Sequence, residues 1–165
     1  LAHLGKENDV SLKVVNAVIE TNDNQKIKIF EKIKSLCDEI LEKKTVSLLG
    51  LSFKPETDDI RESPAKTIIP LLVESGANVN VYDPVAMENF KKEFLNISYF
   101  NSWKDCVLNT HICVILTEWN EFRGIDLKEL KKLLIHPCLV DARNIFSKDK
   151  LKDENFLFEN IGRNL

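Results

Sequence analysis

The sequence predicts an α/β protein in which a parallel sheet carries helices on both faces and is preceded by one long amphipathic helix. Three observations predict this fold class. Short β-rich runs alternate with helical patterns from residue 44 onward. Two of the short runs are apolar except for a single serine, which is typical of central strands that are buried on both sides. Before them, residues 12–41 carry apolar side chains at steps of three and four.

The first element is predicted as a single helix over residues 12–41. Apolar residues recur at helical spacing between Val15 and Ile40, and no Gly or Pro interrupts them. Ser11 has the side chain of an N-cap residue. The pattern alone fits two roles equally well. The helix either covers its own sheet, or bridges two domains or packs against a partner subunit.

The later elements predict a Rossmann-like domain. The apolar runs Val46–Leu49 and Ile112–Leu116 suit central strands. Ser63 followed by Pro64 predicts a helix start, with a capping hydroxyl and then proline at the first helical position. The β-rich and helical runs follow in the order Thr45–Leu49, Ala65–Glu74, Asn78–Tyr82, Ala86–Phe94, Ile97–Phe100, Trp103–Leu108, His111–Leu116, Leu127–Leu134, Cys138–Val140 and Phe156–Glu159.

Composition and charge argue against several classes of function. Apolar residues make up 44% of the chain and charged residues 30%, which is the balance of a folded globular protein. The net charge is −3 and the Lys and Arg residues are scattered, so no nucleic acid partner is expected. The longest apolar runs are far too short to span a membrane, so no membrane partner is expected either.

Neither the cysteines nor the histidines have the spacing of metal ligands, so no metal site is predicted. No C-x-x-C pair is present, and each cysteine lies in an apolar or helical stretch. We therefore expect reduced, mostly buried thiols in a cytoplasmic protein. The cysteines are Cys37, Cys106, Cys113 and Cys138, and the histidines are His3, His111 and His136.

The loop after the first strand, residues 50–64, carries the candidate chemistry, because ligands of open parallel sheets bind beyond the carboxyl ends of the strands. It has no G-x-G-x-x-G pattern, so this is not predicted to be the main dinucleotide-binding half. Lys54 and Arg61 lie seven positions apart on it. Lys offers a point charge and Arg a planar fork of donors, which together suit a diphosphate. An ordinary charged surface loop is the alternative that this pattern leaves open.

Two further features have structural interpretations. Asp83 ends the second predicted strand, where a dinucleotide-binding fold places its ribose-binding acid. Since the glycine loop is missing, a turn-forming Asp-Pro is the better interpretation. Trp119 and Phe122 are predicted to pack in the core or at an interface rather than to wall a pocket.

A series of short motifs runs along the whole chain in order: Gly50–Lys54, Thr57–Asp59, Arg61, Ser63–Pro64, Val81–Pro84, Thr117–Phe122, Asp141–Asn144 and Ile161–Arg163. Together they resemble the UDP-binding domain of the UDP-glucose/GDP-mannose dehydrogenase family. The resemblance is closest to bacterial members that oxidise UDP-glucose. Residues 1–25 resemble the end of the family's central helical domain, whose long helix forms the dimer core.

The resemblance implies a role for four residues. Phe53, Lys54 and Arg143 match family residues that contact the nucleotide sugar. Arg61 matches the arginine that contacts NAD, a cofactor held mainly by a second, amino-terminal Rossmann domain that is absent from this chain. Each cation suits its role, because a charge facing phosphate or ribose oxygens forms charge-assisted hydrogen bonds.

The resemblance also implies a division of the chain and of the reaction. Residues 1–43 would be the end of the helical dimerisation domain, and residues 44–165 the carboxy-terminal UDP-sugar-binding domain. The family oxidises a primary alcohol to a carboxylate with two NAD molecules and a cysteine nucleophile. The motif of that cysteine is absent here, so no residue of this chain is predicted to be catalytic.

Three hypotheses about function follow. In the first, the chain is the carboxy-terminal fragment of an NAD-dependent enzyme that oxidises UDP-glucose to UDP-glucuronate. This fragment would be inactive alone and dimeric through the long helix. UDP-N-acetylmannosamine and GDP-mannose are alternative substrates, since enzymes that oxidise them share the Phe-Lys and Asp-x-Arg elements. The other two hypotheses are a non-catalytic nucleotide-binding module and a purely structural dimerisation piece.

Overall fold

A six-stranded sheet forms the centre of the structure, a computed structural model that describes residues 12–162. All strand pairs are parallel and the order is β3-β2-β1-β4-β5-β6, so the predicted α/β class is confirmed. The strands are β1 (Thr45–Leu49), β2 (Asn78–Tyr82), β3 (Ser98–Tyr99), β4 (Ile112–Ile115), β5 (Cys138–Asp141) and β6 (Leu157–Asn160). The helices are α1 (Lys13–Ser35), α2 (Ala65–Glu74), α3 (Met87–Lys91), α4 (Trp103–Val107), α5 (Asn120–Arg123), α6 (Leu127–Leu133) and α7 (Lys148–Asp153).

The two faces of the sheet have separate cores, because alternate residues of a strand point to opposite sides. Leu48 of β1 packs in one core with residues of α1, α2 and α3. Its neighbour Leu49 packs in the other core with residues of α4, α5, α6 and α7. Every residue of β4, and every residue of β1 after Thr45, is buried, because both strands are covered on two faces.

Helix α1 is shorter than the predicted helix over residues 12–41. It ends at Ser35, and Asp38 and Glu39 then adopt positive φ angles of 52° and 63°. These left-handed residues turn the chain so that Leu41 packs in the core that contains residues of α1, α2 and α3. The turn contains no Gly, so no residue type in it indicates a left-handed conformation. Ser11, the predicted N-cap, lies outside the described residues, as does Arg163.

The two halves of α1 have different environments. Ile29, Phe30 and Ile33 are buried in the same core as the strands, and Lys32 forms an ion pair with Glu159 of β6. The first half instead exposes Val14, Val18 and Ile19 to solvent. The second half therefore covers the protein's own sheet, while the first half has no apolar cover within residues 12–162. The division at residues 43 and 44 stays a prediction.

Most predicted boundaries agree with the structure within a few residues. Ser63 caps α2 as predicted, because its Oγ accepts the Ala65 N–H at 3.2 Å. The helix predicted over Ala86–Phe94 is confined to Met87–Lys91. Helices α5 and α7 were not predicted, since they span only four and six residues and show no helical period.

The structure describes the state of the cysteines and, within residues 12–162, the helices and the potential metal ligands. All four cysteines are buried and free, as the sequence predicted. Within residues 12–162, no helix combines the length and the apolar character needed to cross a membrane. No group of three or more potential metal ligands comes together in the same range.

Candidate functional site

The loops after β1, β2, β4 and β5 meet at the carboxyl edge of the sheet, because all these strands are parallel. The order places β1 and β4 side by side, and the chain leaves them towards opposite halves of the sheet. Such a switch point opens a crevice between neighbouring loops, which is where open α/β sheets bind ligands. The candidate residues of the 50–64 loop and of the segment 141–144 lie at this edge.

Gly50 begins the first loop in a conformation that suits glycine. Its φ is +102°, and a Cβ built on it would lie 2.6 Å from the backbone N and the side chain of Thr117. The loops after β1 and β4 therefore touch at backbone distance. Thr117 adds a second connection, since its Oγ1 donates to the Ser52 carbonyl at 2.6 Å.

Asp83 holds the start of the loop in place. Its Oδ2 accepts the Leu51 N–H at 2.7 Å, the Ser52 N–H at 3.0 Å and the Ser52 hydroxyl at 3.1 Å. The indole N–H of Trp119 reaches the same oxygen at 3.2 Å. Oδ1 accepts the backbone N–H groups two and three residues further along, at 2.9 and 2.8 Å. The carboxylate is thus fully occupied by protein donors, and its predicted turn-forming role is confirmed.

Trp119 and Phe122 belong to the core rather than to a pocket wall. Both are buried against the second face of the sheet. The indole N–H of Trp119 is also 3.2 Å from the Ser52 Oγ, so this buried side chain is bonded to the loop after β1. The prediction of a packing role is confirmed for both aromatic residues.

Phe53 is the first exposed residue of the loop, with 47% of its surface accessible. Its N–H donates to the Asp59 carbonyl at 2.8 Å, which closes the loop on itself. Lys54 follows it and is exposed. The charge of Lys54 is near enough to Asp59 to contribute to a lower pKa of that carboxyl group.

Arg61 is held by a neighbour on its own loop. Its Nε and Nη2 donate to the two carboxylate oxygens of Asp59 at 3.0 and 2.7 Å, and its backbone N–H to Oδ1 at 3.0 Å. These bonds lower the pKa of Asp59 to about 2. The side chain of Arg61 is nevertheless 86% exposed. It lines a shallow hollow of about 470 Å³ together with Asn89, which bonds the Asp58 carboxylate at 3.1 Å.

Arg143 lies on the loop after β5 and is half-buried. Its Nε pairs with the Glu118 carboxylate, and its backbone N–H donates to Asp141 Oδ1 at 3.1 Å. Burial raises the pKa of Asp141, although backbone N–H groups of the same loop, including that of Phe146 at 2.9 Å, oppose the shift. Asp141 therefore shapes the loop that presents Arg143.

Phe53 and Arg143 line one cleft of about 480 Å³ between α1 and the two loops. The cleft also receives polar side chains from α1, among them Lys26, which pairs with Asp23 at 3.0 Å and with Glu62 at 3.8 Å. The lining residues are Ile19, Asn22, Asp23, Gln25, Lys26, Ile29, Phe53, Glu62, Pro64, Ala142, Arg143 and Ile161.

The structure thus does not bring the four predicted site residues together in one place. Phe53 and Arg143, which are far apart in sequence, share the cleft. Arg61 lines the second hollow, and Lys54 lines neither of the two. Glu118 lies within the Thr117–Phe122 motif, and no local pattern in the sequence indicates its contact with Arg143. Lys26 was missed as well, because polar residues on an amphipathic helix are usually solvated.

Comparisons with known proteins place this arrangement in a family. The sequence model of the UDP-glucose/GDP-mannose dehydrogenase family, UDP binding domain, matches residues 47–148. The chain is 35% identical over 164 residues to UDP-glucose 6-dehydrogenase TuaD of Bacillus subtilis, covering 99% of the chain and 35% of that protein. It is 35% identical over 163 residues to UDP-glucose 6-dehydrogenase of Rhizobium meliloti, covering 99% of the chain and 37% of that protein.

A solved structure agrees with the sequence comparisons. The UDP-glucose dehydrogenase from the hyperthermophilic archaeon Pyrobaculum islandicum superimposes with a TM-score of 0.78 at 26% identity, covering 95% of this chain and 34% of that one. The chain spans about a third of the length of the curated relatives it matches. The matched segment 47–148 runs from β1 to the start of α7 and contains both loops that line the cleft. The chain belongs to the UDP-glucose/GDP-mannose dehydrogenase family.

Proposed function

We propose that this chain is the nucleotide-sugar-binding part of an NAD-dependent dehydrogenase that oxidises UDP-glucose to UDP-glucuronate. The observation that carries the proposal is the cleft that joins Phe53 and Arg143 at the carboxyl edge of the sheet. The family description of the matching segment names it a UDP-binding domain. The uridine nucleotide is therefore assigned to this edge.

Arg143 is proposed to bind the oxygens of the nucleotide sugar. Glu118 occupies its Nε, which leaves the terminal N–H groups of the guanidinium for a phosphate or sugar oxygen. Phe53 offers a half-exposed ring that can pack on an apolar face of the ligand. Lys54 follows Phe53 directly, and its long side chain is proposed to supply a further positive charge to the diphosphate.

Arg61 is proposed to contact NAD. Asp59 takes its Nε and one terminal N–H, so the guanidinium is held in place while its remaining donors stay available. NAD would be held mainly by a separate amino-terminal Rossmann domain, because the loop after β1 is not a glycine-rich dinucleotide loop. The cofactor supplies hydride acceptance when bound, and the role assigned to Arg61 is to fix its position.

Catalysis is not assigned to any thiol of this chain. The four cysteines are buried, and burial raises the pKa of each, to about 12 for Cys113. A buried thiol with a raised pKa is a poor nucleophile at neutral pH. We expect the chain alone to produce no NADH from UDP-glucose and NAD in a 340 nm absorbance assay. NADH formation at a rate above that of a heat-denatured sample would contradict this assignment.

We propose UDP-glucose as the substrate, rather than another nucleotide sugar, because both curated relatives compared above are UDP-glucose 6-dehydrogenases by name. Steady-state assays of the intact dehydrogenase with UDP-glucose, UDP-N-acetylmannosamine and GDP-mannose would test this choice. We expect the largest kcat/KM for UDP-glucose. A larger value for either of the other two sugars would reassign the substrate within the family.

The binding role of Arg143 can be tested with one variant and one control. In the intact dehydrogenase, we expect Arg143→Ala to raise the KM for UDP-glucose about tenfold or more, because a charge-assisted hydrogen bond is lost. Arg123→Ala removes an exposed arginine on α5, outside the cleft. It is expected to leave the KM for UDP-glucose and the KM for NAD unchanged. Equal KM values for Arg143→Ala and the parent enzyme would refute the proposed site.

A homodimer through α1 is the partner arrangement we propose. Val14 and Val18 lie one turn apart on the exposed half of the helix, and 78% and 54% of their surfaces are accessible. Sedimentation of the chain should give a dimer that Val14→Glu with Val18→Glu converts to a monomer. Leu95→Glu, at an exposed position outside α1, should leave the dimer intact. A monomeric parent chain would contradict the proposal. A cytoplasmic location stays a prediction.

A further inference from the structure

Three consecutive residues after β4 contact both loops that line the cleft. Thr117 donates its hydroxyl to the Ser52 carbonyl at 2.6 Å, directly before Phe53. Trp119 donates its indole N–H to the Ser52 Oγ at 3.2 Å. Glu118, between them, pairs with the Nε of Arg143 on the loop after β5. One short segment is therefore bonded to the two places where the proposed ligand contacts lie.

The side chains of the segment differ in partner and in burial. Those of Thr117 and Trp119 bond Ser52 of the loop after β1, whereas that of Glu118 bonds Arg143 of the loop after β5. Thr117 and Trp119 are buried, whereas Glu118 is half-buried at the wall of the crevice.

We propose that Glu118 is a positioning residue that acts through Arg143 and, with Thr117, sets the spacing between Arg143 and Phe53. The inference rests on the proposed function, in which Arg143 binds the nucleotide sugar. A guanidinium held at Nε by a carboxylate presents its terminal N–H groups in a fixed direction. Less conformational entropy is then lost when the ligand binds.

The pair differs from an ordinary surface ion pair. Glu118 and Arg143 are 25 positions apart and join two loops, and their side chains are only 27% and 32% exposed. The Arg61–Asp59 pair, in contrast, lies within one loop, with Arg61 86% exposed. The Glu118 carboxylate also repels an anionic ligand. Solvent screens this repulsion at a half-buried site, so the loss of positioning should outweigh it.

The sign of the effect can be tested with two substitutions of Glu118 in the intact dehydrogenase. Glu118→Ala removes the acceptor and is expected to raise the KM for UDP-glucose about tenfold. Glu118→Gln keeps an amide oxygen that can accept the Nε–H bond, so it should restore most of the parent KM. Neither variant should change the KM for NAD, because Arg61 lines a different hollow. Glu121→Ala is the matched control, since Glu121 accepts from the Tyr82 hydroxyl instead.

A double variant separates this inference from the function on which it rests. If Glu118 acts through Arg143, adding Glu118→Ala to Arg143→Ala should cause no further rise in KM. If Arg143→Ala raises the KM and Glu118→Ala does not, the positioning role is refuted while the binding site stands. If Arg143→Ala itself has no effect, the proposed function fails first.

Three other outcomes would also overturn the positioning role. Equal rises for Glu118→Ala and Glu118→Gln would assign the effect to charge alone. A lower KM for both variants would show that repulsion dominates. An equal rise for Glu121→Ala would indicate a general disturbance of the loop. Melting temperatures accompany each variant, and Glu118→Leu, which keeps the volume without the acceptor, replaces Glu118→Ala if the latter fails to fold.

Discussion

The loop after β1 is held in two different ways along its length. Its first half, residues 50–53, is tied to neighbouring strands: the N–H groups of Leu51 and Ser52 bond the buried Asp83. Its second half, residues 54–61, is exposed or half-buried except for Ile60. There, the main contact is the local pair between Arg61 and Asp59.

The difference shows which part of the loop depends on the fold. When a buried, fully hydrogen-bonded group loses a partner, the free energy of unfolding falls substantially. Exposed ion pairs contribute little to it. Phe53 lies at the border, because its N–H bonds the Asp59 carbonyl of the second half. Substitutions in the first half should therefore reduce folding stability, while those in the second half should act mainly on ligand contacts.

The largest effect is expected at Gly50. Gly50→Ala places a Cβ 2.6 Å from the backbone N of Thr117 at a φ of +102°, so the loops after β1 and β4 must separate. We expect the free energy of unfolding to fall by about 3 kcal/mol or more. Urea denaturation followed by circular dichroism measures this change.

Gly76→Ala is the control for backbone strain without the clash. Its φ is +78°, but the nearest atom to a Cβ there is Glu42 Cγ, at 3.3 Å on a flexible side chain. The expected loss is about 1–2 kcal/mol, from the left-handed conformation alone. Equal losses at the two glycines would mean that the contact with Thr117 does not constrain the loop.

Asp83→Asn is the second largest expected effect. The amide would turn an NH₂ group or a single oxygen towards the donors of Leu51, Ser52 and Trp119, so at least one buried N–H loses its partner. We expect a loss of about 2–4 kcal/mol in the free energy of unfolding. Asp58→Asn, on the exposed half, should cost far less under the same urea titration. Similar losses for the two would remove the distinction between the halves.

The second half should show its own signature in the titration of Asp59. The pair with Arg61 lowers the folded-state pKa of Asp59 from 3.8 to about 2. A depressed carboxyl pKa stabilises the folded state above the unfolded value, and this contribution is lost as the pH falls from about 4 towards 2. Carboxyl chemical shifts measured by NMR should follow that titration. Arg61→Ala should return the pKa towards 3.8, and an unchanged value in that variant would refute the pairing.

The smallest effect is expected at Asn89, which bonds Asp58 across the second hollow at 3.1 Å. Asp58 is exposed and Asn89 is half-buried, and their hydrogen bond lies at the surface, so Asn89→Ala should change the free energy of unfolding by no more than about 0.5 kcal/mol. Amide hydrogen exchange should nevertheless become faster in residues 57–61, because the loop loses its contact with α3. Unaltered exchange there would mean that the local Asp59–Arg61 pair holds the second half without help.

Much of the fold could be predicted from the sequence because it depends on short-range patterns. The strand β1 was predicted at its observed bounds, since its apolar run is bounded by lysines and a glycine. The packing role of Trp119 and the turn-forming role of Asp83 were also predicted. Helix α1 was predicted too long, because the left-handed turn at Asp38 contains no glycine that would indicate the end of a helix.

The arrangement of the candidate site was harder to predict. Lys54 and Arg61 share a loop in the sequence, yet Arg61 points to its own hollow. Arg143, placed on the site only by its motif, turns out to share the cleft with Phe53. Glu118 escaped notice because its partner lies 25 positions away.

The sequence by itself determined the alternation of strands and helices, the family and the identity of the charged residues at the edge of the sheet. Only the tertiary structure decided which of those residues meet, because parallel pairing brings together loops that are distant along the chain. Periodicity is a local property that each segment carries alone. Distances between loops depend instead on the strand order and on buried groups such as Asp83 that bond several elements at once.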